Sequence, residues 1–355
     1  MATTTSRTAT TPARRVTTPA RPSTKPPEEA LAAVRKLSLE ALAARVLVVA
    51  APGDGPTARL GPRGWGGVLG TGGPAGPWVL ARADELGLPP ASRRGGQSVA
   101  RLRDAAKRAA RALRARGARA VLAPPADVSV PAGAVAPRSF GQDPARVARA
   151  ARAEAAGLAR GGLAPVPGSF PGEGAASADP DVTTATVGQG LPQLRRRDLA
   201  PFRALAPRVP GIQVSNALYA AFDGVTPAAL LPEADVRLLR DETGFAGAAV
   251  SPELGALVQV TRRPPGAVAV DALRAGIDLV LVDGTAADAR GVFRAVLAAA
   301  TKGALPRARL EDAAARALVL RRAPTPPGGP TGRGPASARP RTPGPTPPGG
   351  LRPGG

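Results

Sequence analysis

Short apolar runs alternate with Ala- and Arg-rich amphipathic stretches through the middle of this 355-residue chain, and that alternation predicts an α/β fold with a parallel sheet. Seven or eight such units within residues 28–322 favour a single closed (β/α)8 TIM-like barrel over an open doubly wound sheet. A third observation bounds the barrel: both chain ends are basic and rich in Pro, Gly or Thr, a composition that supports no packed element.

In chain order, residues 1–27 carry Arg7, Arg14, Arg15, Arg21 and Lys25 with no acid, and are expected to be a disordered basic tail. Strands are expected at Val46–Ala51, Trp65–Gly70, Ala118–Ala123, Leu163–Val166, Gly211–Val214, Gly247–Val250 and Ile277–Val282, several ending in Gly, Pro or polar residues where a loop would begin. Helices are expected at Val99–Arg116, Pro144–Arg160, Pro232–Thr243, Val268–Ala275, Thr285–Ala300 and Leu310–Arg322. In the second of these, Val147, Ala151, Ala155 and Leu158 recur at helical spacing and mark the buried stripe. Residues 323–355 form a second disordered tail, Pro/Gly-rich, with four arginines and again no acid. A barrel of this kind places its working residues just after the strands, on the C-terminal face.

Composition removes several chemistries. The chain has no Cys, so it has no disulfide framework or thiolate site, and no His, which excludes a Ser-His-Asp triad, an imidazole base and His-containing zinc sites. No metal-ligand cluster or cofactor motif is present. Gly53-Asp54-Gly55, Gly70-Thr71-Gly72-Gly73 and Asp283-Gly284 are loop sequences that lack the spacing of a phosphate-binding fingerprint. The formal net charge of +22 suits non-specific attraction to an anionic polymer, although Arg enrichment beside Ala, Gly and Pro also fits a biased codon usage. No stretch reaches the ~18–20 apolar residues of a membrane span, and the N-terminus lacks the apolar core of a signal peptide, so the expected location is cytoplasmic.

Several segments together resemble family 3 glycoside hydrolases, in the flavour of bacterial β-N-acetylglucosaminidases that trim cell-wall fragments. They are Leu37-Ser38-Leu39-Glu40 before the first strand, Leu122-Ala123-Pro124-Pro125-Ala126-Asp127-Val128, Arg138-Ser139-Phe140-Gly141-Gln142-Asp143-Pro144, Phe170-Pro171-Gly172, and the run from Leu239 to Pro252. The resemblance covers the body in order and implies the same barrel.

It also implies that the chemistry is altered. The family's nucleophilic Asp corresponds to Pro252, which cannot form the glycosyl ester of a retaining mechanism. Glu253 is next to it, but neighbouring side chains on a strand point to opposite faces. The family's KHFPGHG run is here Gly168-Ser169-Phe170-Pro171-Gly172-Glu173-Gly174, with Ser169 where a His would hold sugar hydroxyls. Its acid–base group corresponds to Asp179-Pro180-Asp181, keeping the orienting Asp and placing Asp181 at the His position. That Asp181 is either an acid with a raised pKa beside a second carboxylate or part of a solvated turn. A sugar-gripping segment is replaced by Ser92-Arg93-Arg94, and Asn216 stands where a further His belongs.

Arg138, Asp127, Ser92, Ser169 and Asn216 are therefore the candidate ligand-contacting positions. Glu253, Asp179, Asp181 and Glu173 are the candidate substitute carboxylates. The expected function is a family 3 protein that binds a sugar, a cell-wall fragment or a partner without efficient hydrolysis. Two alternatives stand beside it: a working O-glycosyl hydrolase with relocated carboxylates, and a binder of anionic polymer.

Overall fold

A computed structural model describes residues 24–50, 65–71 and 78–323. The two expected tails, apart from Thr24–Pro27 and Ala323, and the Gly53-Asp54-Gly55 and Gly72-Gly73 segments lie outside the described residues.

Eight parallel strands form one sheet: β1 (Leu47–Ala50), β2 (Gly67–Leu69), β3 (Val79–Ala81), β4 (Ala120–Val121), β5 (Ala164–Pro165), β7 (Gly211–Gln213), β9 (Ala248–Glu253) and β10 (Leu279–Val282). Their order is β5-β4-β3-β2-β1-β10-β9-β7. The two edges meet where the chain beyond β5 reaches β7. Gln213 N donates to Pro167 O at 2.8 Å, Phe170 N to Gln213 O at 2.8 Å, and Ser215 N to Phe170 O at 2.8 Å. This ladder closes the barrel. A separate two-stranded ribbon, β6 (Thr186–Val187) with β8 (Leu218–Tyr219), lies in the loops beyond β5 and β7.

Strand alternation sorts the core into two layers. Val48, Val250, Leu279 and Leu281 belong to an inner cluster with Leu80, Trp78 and Val166, while Leu47, Val49, Ala249, Val280 and Val282 belong to the outer cluster packed under the helices. The outer ring is built by α1 (Glu28–Arg35), α2 (Leu39–Arg45), α4 (Val99–Ala115), α5 (Pro144–Arg160), α7 (Leu199–Leu205), α9 (Pro265–Ala275), α10 (Ala286–Thr301) and α11 (Arg307–Arg322). Shorter helices α3 (Ala91–Arg94), α6 (Leu191–Arg196) and α8 (Leu254–Thr261), and a π-helix at Glu233–Glu242, complete the set. No helix of the described residues is long and apolar enough to cross a membrane.

The helix ends follow local rules. Ser38 and Ser98 cap α2 and α4, accepting from Ala41 N and Arg101 N. Asp143 caps α5, with Pro144 at the first helical position. Thr285 and Asp288 form a reciprocal capping box on α10. The C-terminal end of α11 closes the bottom of the barrel, where Arg321 donates to Gly66 O at 2.7 Å and Arg45 O at 3.1 Å, just ahead of β2 and β1. The Thr24 carbonyl accepts from Arg316 at 2.7 Å, so residues ahead of the expected boundary at residue 27 already touch the barrel.

The tightest helix contact joins α4 and α5, whose backbones approach over Gly157 and Gly161. A Cβ on Gly157 would lie 2.3 Å from Arg103 O and 2.8 Å from Ala106 Cβ. Helix propensity alone favours Ala over Gly by about 1 kcal/mol, but overpacking costs about 1–3 kcal/mol or more, and a backbone oxygen at that distance cannot swing aside. Gly157→Ala is therefore expected to lower the chemical denaturation midpoint. Gly291→Ala on α10, where a Cβ meets nothing within 4 Å, is expected to raise it. Equal shifts in the two variants would contradict the close-packing argument.

Candidate functional site

The C-terminal ends of the strands surround a cavity of about 450 Å³, within the range that holds a small ligand. Its wall includes Asp127 after β4, Ser169 and Glu173 after β5, Asn216 after β7 and Pro252 in β9. Arg138, Asp179 and Asp181 complete it from the loops.

Two sequence segments hold each other in place at this mouth. Ser139 Oγ donates to Asp127 O at 2.6 Å, and Ser129 N donates to Gly141 O at 3.0 Å, so the Arg138–Gly141 run is clipped to the end of β4. Phe140 is buried beneath them. The turn at Phe170-Pro171-Gly172 needs its glycine. Gly172 has φ +129°, and a Cβ there would sit 2.8 Å from Asp198 Cβ. This turn presents Glu173, whose backbone N–H donates to Asp127 Oδ1 at 2.7 Å. Tyr219 O–H braces the turn from below by donating to Gly172 O at 3.0 Å.

Arg138 is the centre of an acidic cluster. Its guanidinium lies 2.8 Å from Asp179, 2.6 Å from Asp181 and 3.6 Å from Glu173. Glu173 is 1% exposed and accepts a hydrogen bond from Ser215 Oγ at 2.7 Å on one oxygen, while its other oxygen has no hydrogen-bond partner. Burial, reinforced by the neighbouring charge of Asp127, pushes the Glu173 carboxyl up to about 8. Burial also raises Asp127 and Asp181, against the opposing pull of Arg138. Beneath the turn, burial holds Asp198 at about 7.

The predicted positions divide clearly. Arg138, Asp127, Ser169, Asn216, Glu173, Asp179, Asp181 and Pro252 all reach the cavity. Asn216 does so while spending its amide on Pro180 O at 2.8 Å, which ties the Asp179–Asp181 loop down. Two positions do not line it. Ser92 points outward on α3 and is exposed, because the helical turn carries Arg94 inward instead. Arg94 is ion-paired with buried Glu154 of α5 and stacked over the Phe140 ring at 5.3 Å. Glu253 is held by Arg82 Nε at 2.6 Å and is not part of the cavity wall.

Sequence reasoning missed Ser215, Gln213 and the Arg94–Glu154 pair. The last had a signal: Glu154 lies three residues after Ala151 on the apolar stripe of α5, where a lone acid needs a cationic partner.

Among the described residues no group of His, Cys, Asp and Glu has the arrangement of a metal site.

The comparisons agree with this geometry. The family model described as glycosyl hydrolase family 3 N terminal domain matches residues 86–320. A beta-hexosaminidase of Methylococcus capsulatus is 34% identical over 175 residues, which is 49% of this chain and 52% of that protein. Beta-hexosaminidase LpqI of Mycobacterium tuberculosis is 36% identical over 194 residues, covering 52% of this chain and 50% of that protein. The matched part thus spans about half the length of these sequence relatives. The solved M. tuberculosis LpqI structure superposes with a TM-score of 0.74 at 26% identity, over 82% of this chain and 96% of that one. A beta-N-acetylhexosaminidase from Beutenbergia cavernae gives 0.72 at 25% identity, over 81% of this chain and 99% of that one. With the barrel, its C-terminal cavity and the matched segments in agreement, the chain belongs to glycosyl hydrolase family 3.

Proposed function

We propose that this chain binds a carbohydrate at the barrel mouth and does not hydrolyse it by a covalent double displacement. The observation that carries this reading is the end of β9, where Pro252 lines the cavity. On either side, Ser251 Oγ is turned to Leu281 N and the Pro252 carbonyl, and Glu253 is engaged by Arg82. A retaining glycosidase needs a carboxylate on the face opposite its acid, and this strand end offers none to the cavity.

A hydrolytic reading has one observation in its favour. Glu173, held near 8 by burial, is protonated at neutral pH, the state required of a general acid. The two readings separate in one experiment. Aryl N-acetyl-β-glucosaminide and aryl β-glucoside are incubated with the protein while N-acetylglucosamine and its β-linked dimer are titrated calorimetrically. Saturable binding with aryl release at the uncatalysed rate is the expected result. Release that disappears in Glu173→Gln would overturn the binding reading and establish the hydrolytic one.

A further inference from the structure

The charged groups that line the cavity are mainly acidic although the protein as a whole is basic. The chain carries +22 overall, yet its cavity is lined by six carboxyl groups (Asp84, Asp127, Glu154, Glu173, Asp179 and Asp181) against two guanidiniums, Arg94 and Arg138. Both guanidiniums are committed. Arg94 is paired with Glu154, and Arg138 contacts Asp179 and Asp181 within 2.8 Å. That leaves Asp84, Asp127 and Glu173 without a cation at hydrogen-bond distance among the described residues; Arg138 stands 3.6 Å from Glu173 Oε2, a long ion pair and not a hydrogen bond.

A cluster of acids is ordinarily relieved by solvent, but Glu173 is not. It is 1% exposed, and one carboxyl oxygen, buried at the cavity wall, has no hydrogen-bond partner at all. A buried polar atom in that condition costs free energy until a donor reaches it. The upward displacement of Glu173, Asp127 and Asp181 by burial and by mutual repulsion reports the same shortage of positive charge.

We infer that the cavity recognises a ligand bearing a protonated amine, and that among saccharides it selects an amino sugar with a free ammonium over its N-acetylated counterpart. This rests on the carbohydrate-binding reading above and specifies its ligand class. An ammonium supplies three donors and a positive charge, which favours the ionised form of the buried Glu173 carboxyl and pairs it and the adjacent acids. Acetylation removes that charge and leaves one N–H, so it offers the buried carboxyls no cation against which to ionise. Two arginines remain in the wall, but each is already paired with a carboxylate, so the remaining carboxyls are the groups that ionise toward an incoming cation.

The test is calorimetric titration of the full chain at pH 6.5 with glucosamine and N-acetylglucosamine, and with the β-1,4-linked dimer of each. The free amines are expected to bind about tenfold tighter than the acetylated sugars, with the preference shrinking as salt is added. Asp181→Asn, at an exposed position that does not threaten folding, and Glu173→Gln are both expected to reduce the preference toward unity. Equal or tighter binding of the acetylated sugars overturns the inference while leaving the carbohydrate-binding reading standing. A preference unchanged in both variants overturns it as well, by placing the amine elsewhere. Absence of binding by all four saccharides overturns the carbohydrate-binding reading itself and this inference with it.

Discussion

Asp278→Ala is expected to destabilise the barrel by about 3–5 kcal/mol. Asp278 has no solvent exposure and sits just before β10. It accepts from Arg240 at 2.7 Å, from Arg309 at 2.9 Å and from the Ala249 N–H of β9 at 2.8 Å, with Arg316 a further contact at 3.8 Å. Arg240 in turn donates to Gly247 O at 2.6 Å and Phe245 O at 3.2 Å, which fixes the chain entering β9. Asp235 is also buried there, and burial lifts its carboxyl well above the usual carboxylate range against the pull of Arg240, so Asp278 is the acceptor that the arginines share.

Removing Asp278 therefore leaves buried guanidiniums and a strand N–H without their common acceptor. Asp278→Asn keeps an acceptor but not the charge, and its loss is expected to fall between wild type and Asp278→Ala. Guanidinium-chloride unfolding measures all three. A loss below about 1 kcal/mol for Asp278→Ala would mean that water or rearrangement satisfies the network, contrary to its burial. Because the network lies at the opposite end of the strands from the cavity, saccharide binding per folded molecule should be unchanged.

The barrel was legible in the sequence because its signals are periodic and local. Helix α5 begins and ends at the expected residues, since Asp143-Pro144 is a start signal and Val147, Ala151, Ala155 and Leu158 lie on one face. Strand β3 escaped notice because its three residues, Val79–Ala81, are too few to show alternation. The expected helix over Pro232–Thr243 is present as a π-helix, whose hydrogen bonds span one residue more than those of an α-helix, a difference that side-chain periodicity over ten residues does not reveal.

The site was partly legible for a related reason. Arg138, Asp127 and the Phe170-Pro171-Gly172 turn carry recognisable segments, so their arrival at one cavity was foreseeable. Which way Ser92 and Arg94 face was not, because one residue of helical rotation decides it. Nor could a sequence disclose that Glu173 would be enclosed with one oxygen lacking a hydrogen bond, since that depends on Asp127 from beyond β4 converging with Ser215 and Tyr219 from beyond β7.

The convergence on Arg138 makes its removal the sharpest test of the cavity's electrostatics. Arg138→Met keeps an unbranched apolar stem and deletes the charge that Asp179, Asp181, Glu173 and Asp127 share. Glu173, Asp127 and Asp181 already titrate above their unfolded values, so each favours the folded state in its protonated form. Their contribution is complete below the ordinary carboxylate range and is lost as pH rises, for Glu173 through about 8. Without Arg138 these groups are displaced further upward, and the loss steepens.

The stability difference between wild type and Arg138→Met should accordingly be small near pH 4. It should widen to about 2 kcal/mol by pH 8.5, a value held below that of a fully buried pair because the guanidinium is partly exposed. Arg138→Lys restores the charge without the forked geometry and should recover part of the alkaline loss. Unfolding midpoints measured across that pH range decide the matter: parallel curves for wild type and Arg138→Met would show that the carboxyls do not depend on this guanidinium. A widening gap would identify Arg138 as the charge that keeps four acids folded around one cavity. The same variant should then bind a free amino sugar more tightly, since it deletes one of the two positive charges that a ligand ammonium meets there.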